Sequence, residues 1–244
     1  MSAFIRAQSA GEIFRNAAHL YRKNFLALFL VYVLPLAPFQ AWFGYAAQGM
    51  SLAGLAAAYA LLIVLSVLAI VPITIVLSDI CLGTRPDLGR AFRHLSLRSA
   101  GLLVGTCLLS VALCVLGALL LLVPGLVLTV RYAFVVPVAV LERLSGWQAL
   151  RRSRELGKGY FRRIFGIIFL SYAVVFVVSA LIGAICGVAM LLVELPPHLL
   201  GMIANLVALP LAPLPAIVLV LLYYDLRVRK EAYDSAALAE DLKR

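Results

Sequence analysis

The sequence predicts an all-α integral membrane protein. Six transmembrane helices form three helical hairpins, each preceded by a cytoplasmic amphipathic helix. Three observations lead there. The chain is 64% hydrophobic with a mean hydropathy of +1.06, whereas soluble chains run near half apolar. Of its 21 Lys and Arg, 20 lie in four clusters, at 6–23, 85–98, 143–163 and 227–244. Between the clusters run pairs of apolar stretches whose internal turns carry almost no charge. Lipid accepts such apolar surface only when every backbone polar group is satisfied internally, which selects helices. Basic flanks mark the cytoplasmic side, so the number of spans is even and both termini are cytoplasmic.

The spans fall at 25–47, 52–77, 102–123, 126–141, 164–193 and 199–224. Most exceed the roughly 20 residues that cross a bilayer; the fourth is short. The outer turns are Gln48-Gly49-Met50-Ser51, the tight-turn pair Pro124-Gly125, and Glu194-Leu195-Pro196-Pro197-His198. Only Glu194 is charged there, so no outer domain is expected. The polar start of the chain does not read as a cleavable signal peptide.

Residues 11–23 place Ile13, Phe14, Ala17, Leu20 and Tyr21 on one helical face, with Arg15, Arg22 and Lys23 off it. Residues 86–95 repeat the style with Leu88, Ala91, Phe92 and Leu95 inward and Arg90 and Arg93 outward. Residues 147–156 repeat it again, with Arg151, Arg152 and Arg154, followed by Lys158. All three are expected in the headgroup plane, their cations reaching anionic lipid phosphates. The positive-inside rule accounts for the net charge of +10, so nucleic acid is not an expected partner.

Each amphipathic helix is followed by a span, a turn, and a second span holding a proline and ending in an acid: Pro72 with Asp79, Pro137 with Glu142, Pro215 with Asp225. This reads as a single membrane domain over 1–244, with a candidate triplication into units at about 5–80, 86–142 and 146–225 and a cytoplasmic tail at 226–244. The three acids could pin the basic helices to the bundle or serve an ion relay. Pro35, Pro38, Pro72, Pro137, Pro210, Pro213 and Pro215 interrupt apolar helices. Pro210–Pro215 is the strongest candidate for an unwound stretch. Gly183, Ala184 and Gly187 could allow close helix packing.

Arg131 is the one basic residue inside a span. A rise of 1.5 Å per residue puts it about 9 Å from the outer turn and about 16 Å from Glu142. An intramembrane Arg is costly and normally has a partner, and Glu194 is the nearest acid along the normal. It could contact a substrate or lipid phosphate, or form a structural ion pair. No catalytic set emerges. His19, His94 and His198 are scattered, and no HExxH, GxSxG or phosphate-cradling glycine loop occurs. Cys81, Cys107, Cys114 and Cys186 lack metal-ligand spacing. The chain is therefore expected to be non-enzymatic, without metal or cofactor.

One stretch resembles a known group. It runs Leu122-Val123-Pro124-Gly125-Leu126-Val127-Leu128-Thr129-Val130-Arg131-Tyr132, then Pro137 and Glu142, then Ser145-Gly146-Trp147-Gln148-Ala149-Leu150-Arg151-Arg152-Ser153-Arg154-Glu155-Leu156-Gly157-Lys158-Gly159. It is similar to the membrane domain fused to some bacterial glycerophosphodiester phosphodiesterases and to its stand-alone YciC-like integral membrane relatives. The opening Gly11-Glu12-Ile13-Phe14 and the tail Tyr223-Tyr224-Asp225-Leu226-Arg227-Val228-Arg229-Lys230-Glu231 share the likeness. The resemblance implies a bacterial inner membrane and association with anionic glycerolipids, a membrane-protein partner or a second copy. It carries over no catalytic residue, because the phosphodiesterase barrel has no counterpart in this chain. The expected role is to engage anionic glycerolipids or organise a membrane partner; the alternative is translocation of lipid or small amphiphiles through Arg131 and proline-broken helices.

Overall fold

The computed structural model describes residues 6–46, 49–84, 86, 88–89, 97–120, 122–192, 199, 203, 206–231 and 237. Among them the regular elements are helical. They are α1 (Ala10–Lys23), α2 (Phe25–Val33), α3 (Ala37–Ala46), α4 (Leu52–Cys81), α5 (Leu97–Leu120), α6 (Leu122–Tyr132), α7 (Val135–Leu141), α8 (Gly146–Gly157), α9 (Phe161–Leu192) and, after a 3₁₀ turn at Leu209–Leu211, α10 (Pro213–Glu231).

Four helical stretches among the described residues are long and apolar enough to cross a membrane: Leu52–Cys81, Pro124–Leu141, Phe161–Val188 and Leu206–Glu231. The pair Phe25–Val33 and Ala37–Phe43, bent by 56°, makes a fifth if it is one span. Within the third expected span the apolar helix Gly101–Cys114 is shorter. The amphipathic segment at 86–95, with Arg90 and Arg93, lies outside the described residues apart from Pro86, Leu88 and Gly89, and so do the turn at 194–198 and Glu194.

The prolines act as their chemistry requires, though not everywhere as expected. The bend between α2 and α3 falls at Pro35, whose ring cannot donate to the ladder; the Leu36 amide turns back to the Val33 carbonyl instead. Pro72 sits inside an unbroken α4. Pro124 and Gly125 are not a loop but part of the first turn of α6, where a fixed φ suits a helix start. The 3₁₀ turn at Leu209–Leu211 is the interruption expected near Pro210. There the Tyr21 hydroxyl donates to the Pro210 carbonyl at 2.6 Å.

That bond fixes one end of α1. At the other end of the helix the Gln8 amide donates to the Asp225 carboxylate at 2.7 Å. Fourteen residues of α1 extend about 21 Å, and the chain from 210 to 225 extends about as far. So α1 lies lengthwise beside α10, antiparallel to it. Ile13, Ala17, Leu20 and Tyr21 are buried, because a protein groove gives an apolar stripe denser packing than disordered acyl chains. A capping box starts the helix: Ser9 accepts from the Glu12 amide, and Glu12 accepts from the Ser9 amide.

α8 is held the same way. Its N-terminal Gly146 amide donates to Thr106 on α5 at 2.8 Å. Its C-terminal carbonyls, from Glu155 and Lys158, accept from the Lys230 ammonium. Midway, Ser153 repairs the break between α6 and α7: its hydroxyl accepts from the Phe134 amide and donates to the Arg131 carbonyl. Both backbone groups would otherwise be buried without a helical partner.

Burial divides the molecule into two storeys. In one, residues 71–79 of α4, most of α10, α7 and the inner faces of α1 and α8 form a continuous core. In the other, apolar side chains are exposed: Leu26, Leu34, Leu52, Tyr59, Leu61, Tyr172, Phe176, Leu181 and Ile185. Along α9, Ser171 is the last buried residue before Val188. α5 and α6 pack closely enough that a Cβ on Gly117 would meet Leu128 Cδ1 at 2.7 Å and the Gly125 Cα at 3.2 Å. A Cβ on Gly183 or Gly187 would meet no neighbour within 4 Å among the described residues, and Ala184 is exposed.

Candidate functional site: the polar end of the bundle

Residues far apart in sequence gather at one end of the bundle. Asp225 is fully buried. Its carboxylate accepts from the Gln8 amide, from Arg163 at 3.0 and 3.2 Å, and from Arg229 at 2.9 and 3.0 Å. Both guanidiniums also donate to the Gln8 carbonyl. The node joins α9, α10 and the segment entering α1. Buried charge survives only with such complete pairing. Arg229 reaches Asp225 because residues four apart share a helical face.

A second node lies two residues back on α10. The Tyr223 hydroxyl donates to Glu142 at 2.9 Å, and Arg227 donates to the Tyr223 oxygen. Arg152 bridges Glu142 and Glu231, each at 2.6 Å. Burial alone would lower the Arg152 pKa, but Glu142 and Glu231 outweigh it and hold it above the usual value. The Ser78 hydroxyl meets that of Tyr224, bringing the end of α4 and the buried Asp79 to the same level. The three expected acids therefore share one end, and Asp225 and Glu142 do bind basic residues. Sequence reading missed Arg163, Gln8, Tyr223 and Ser153; the fourfold spacing of Asp225 and Arg229 was the one local signal.

The expected headgroup cations separate into two kinds. Arg152 is an internal bridge and Arg151 pairs with Glu155 across one exposed turn. Arg15, Arg22, Lys23, Arg154 and Lys158 are exposed, and none makes an ion pair among the described residues. Burial beside α10 pushes the Tyr21 phenol up to about 12, so Tyr21 remains a hydrogen-bond donor.

Arg131 lies within the candidate span Pro124–Leu141. Its carbonyl is tied to Ser153, in the middle of α8, and its side chain is exposed. The helix breaks just after it, between Tyr132 and Val135.

The four cysteines are free, and among the described residues no three His, Cys, Asp or Glu stand close enough to hold a metal. The chain matches no protein-family model, no curated protein and no solved structure.

Proposed function

We propose that the protein is a non-enzymatic, six-span membrane protein that engages anionic glycerolipids on the cytoplasmic side. One observation carries this. Exposed cations on α1 and α8, with exposed Arg131 held next to α8, belong to the storey whose apolar faces are buried, and the other storey exposes its apolar faces. A membrane around the second storey places the cations at the phosphate level. Trp147, exposed at the start of α8, suits an interfacial aromatic belt.

The meeting of Gln8, Ser78, Glu142, Arg163 and Asp225 at one end supports three out-and-back excursions, hence hairpins and termini on one side. The basic composition of that side supports a cytoplasmic location in a bacterial inner membrane. The shared level of Asp79, Glu142 and Asp225 supports the repeat units at 5–80, 86–142 and 146–225. A membrane-protein partner or a second copy would meet the same surface. Translocation of a lipid or amphiphile has less support, because Arg131 is exposed beside Ser153 and not enclosed between proline-broken helices.

The test is the lipid composition around the protein. Reconstituted in phosphatidylcholine with a minority of phosphatidylglycerol, the protein should enrich spin-labelled phosphatidylglycerol in its motionally restricted shell. Replacing Arg131, Arg151, Arg154 and Lys158 by Gln should lower that enrichment by about threefold. Equal occupancy of the two lipids by the unaltered protein refutes the proposal.

A further inference from the structure

The exposed face of α1 is more than a charged strip. Arg15, Ala18, His19, Arg22 and Lys23 line an open cleft of about 560 Å³. None of its four nitrogen-bearing side chains is held by an ion pair or hydrogen bond among the described residues. By contrast, Arg152, Arg163, Arg227, Arg229 and Lys230 are committed to acids, a phenol or carbonyls. The cleft thus presents three permanent cations and an imidazole, with no acid lining it among the described residues. Desolvating them together is unfavourable without an anion.

The spacing specifies the anion. Arg15 and Arg22 are seven residues apart on one helix face, about 10 Å along the axis. His19 stands between them, within one turn of each, and Lys23 lies beside Arg22. Two phosphate-sized positions result, one at Arg15 and His19 and one at Arg22 and Lys23. Ala18 lies between the two arginines, and its single methyl leaves the floor open. The lower position adjoins the membrane storey: Phe25, Leu26, Leu30 and Leu34 follow at once and are exposed. Acyl chains running along them would continue from a headgroup seated above. Arginine forks bind phosphate oxygens in pairs.

We propose that this cleft is a specific site for a lipid carrying two phosphates in one headgroup. It rests on the lipid reading above and sharpens it from a general surface preference to one site and one lipid class. Purified full-length protein is titrated with cardiolipin, or with twice the concentration of phosphatidylglycerol so that total charge is equal, and bound lipid is counted by native mass spectrometry. Arg15→Gln/Arg22→Gln should lower cardiolipin occupancy about tenfold and phosphatidylglycerol occupancy by less than about threefold. Ala18→Leu keeps every charge and fills the floor; it should lower cardiolipin occupancy alone. Both variants alter only exposed side chains, and an unchanged Tm confirms that they fold.

Equal losses for the two lipids, or full cardiolipin binding by Ala18→Leu, overturn the two-phosphate site. Loss of cardiolipin only when Arg151, Arg154 and Lys158 are replaced by Gln moves the site to α8 and leaves the general reading standing. No anionic preference in the unaltered protein overturns both. Displacement of cardiolipin by an equal concentration of inorganic diphosphate shows that a soluble diphosphate, and not a lipid, is the ligand.

Discussion

α9 and α10 are similar as sequences and opposite as structural elements. Their most apolar stretches have mean hydropathies of 2.6 and 2.4, yet 17% of the first is buried inside the protein against 50% of the second. α10 is the axis of the inner storey: α1 runs along it, α4 meets it through Ser78 and Tyr224, and α7 and α8 reach it through Glu142 and Arg152. Among the described residues α9 is anchored over its first turns, through Arg163, Ile164, Ile167 and Ser171, and then extends with large side chains exposed. Hydropathy measures tolerance for lipid; it does not distinguish lipid from a protein interior. What separates the two helices is the polar end. Tyr223, Tyr224 and Asp225 require partners from other helices, and their partners hold those helices against α10.

The contrast can be broken most sharply at Asp225. Asp225→Leu leaves Arg163 and Arg229 without their carboxylate and should cost about 3–5 kcal/mol, read as a large fall in Tm in detergent and as protease sensitivity ahead of α1. A small effect would show that α10 is held by apolar packing alone. Gly117→Leu should cost about 1–3 kcal/mol, because the α5–α6 approach has no room for the side chain and the Gly125 backbone cannot yield as a flexible side chain would. Ser153→Ala strands the Phe134 amide and the Arg131 carbonyl and should cost about 1–2 kcal/mol; hydrogen exchange should rise at Phe134 before elsewhere. At the other extreme, Gly183→Ala and Phe176→Leu on α9 should shift stability by less than about 0.5 kcal/mol. A loss of more than 1 kcal/mol in either would show that α9 has a packed partner in the membrane.

Local pattern made the amphipathic helices legible. Period-3.6 apolar residues located α1 and α8 within one or two residues, and the face assigned as apolar on α1 is the buried one, with Phe14 half-buried at its edge. It also placed the break near Pro210 and the paired role of Asp225 and Glu142 with basic residues. It did not show that Ser153, twenty-two residues on, holds the Arg131 carbonyl at a helix break, because nothing at Arg131 marks that partner. Nor did it separate Arg152 from Arg151 and Arg154: adjacent residues of one composition point to different surroundings around the helix, and only the position of Glu142 and Glu231 decides which is enclosed. Glycine permits close approach, but a neighbour must be present for the approach to occur, as it is at Gly117; at Gly183 none is present among the described residues.

The sequence by itself determined the helical class, the affinity for a membrane, the clustering of cations and which face of each amphipathic helix is apolar. These depend on composition and on period, both properties of a short stretch of chain. Tertiary structure decided that α1 lies along α10, that Arg163 and Arg229 share Asp225, and that Arg15, His19, Arg22 and Lys23 are left open around a cleft. Those outcomes depend on partners up to 221 positions apart in sequence, and the energy of a polar group is set by whichever partner the fold brings to it.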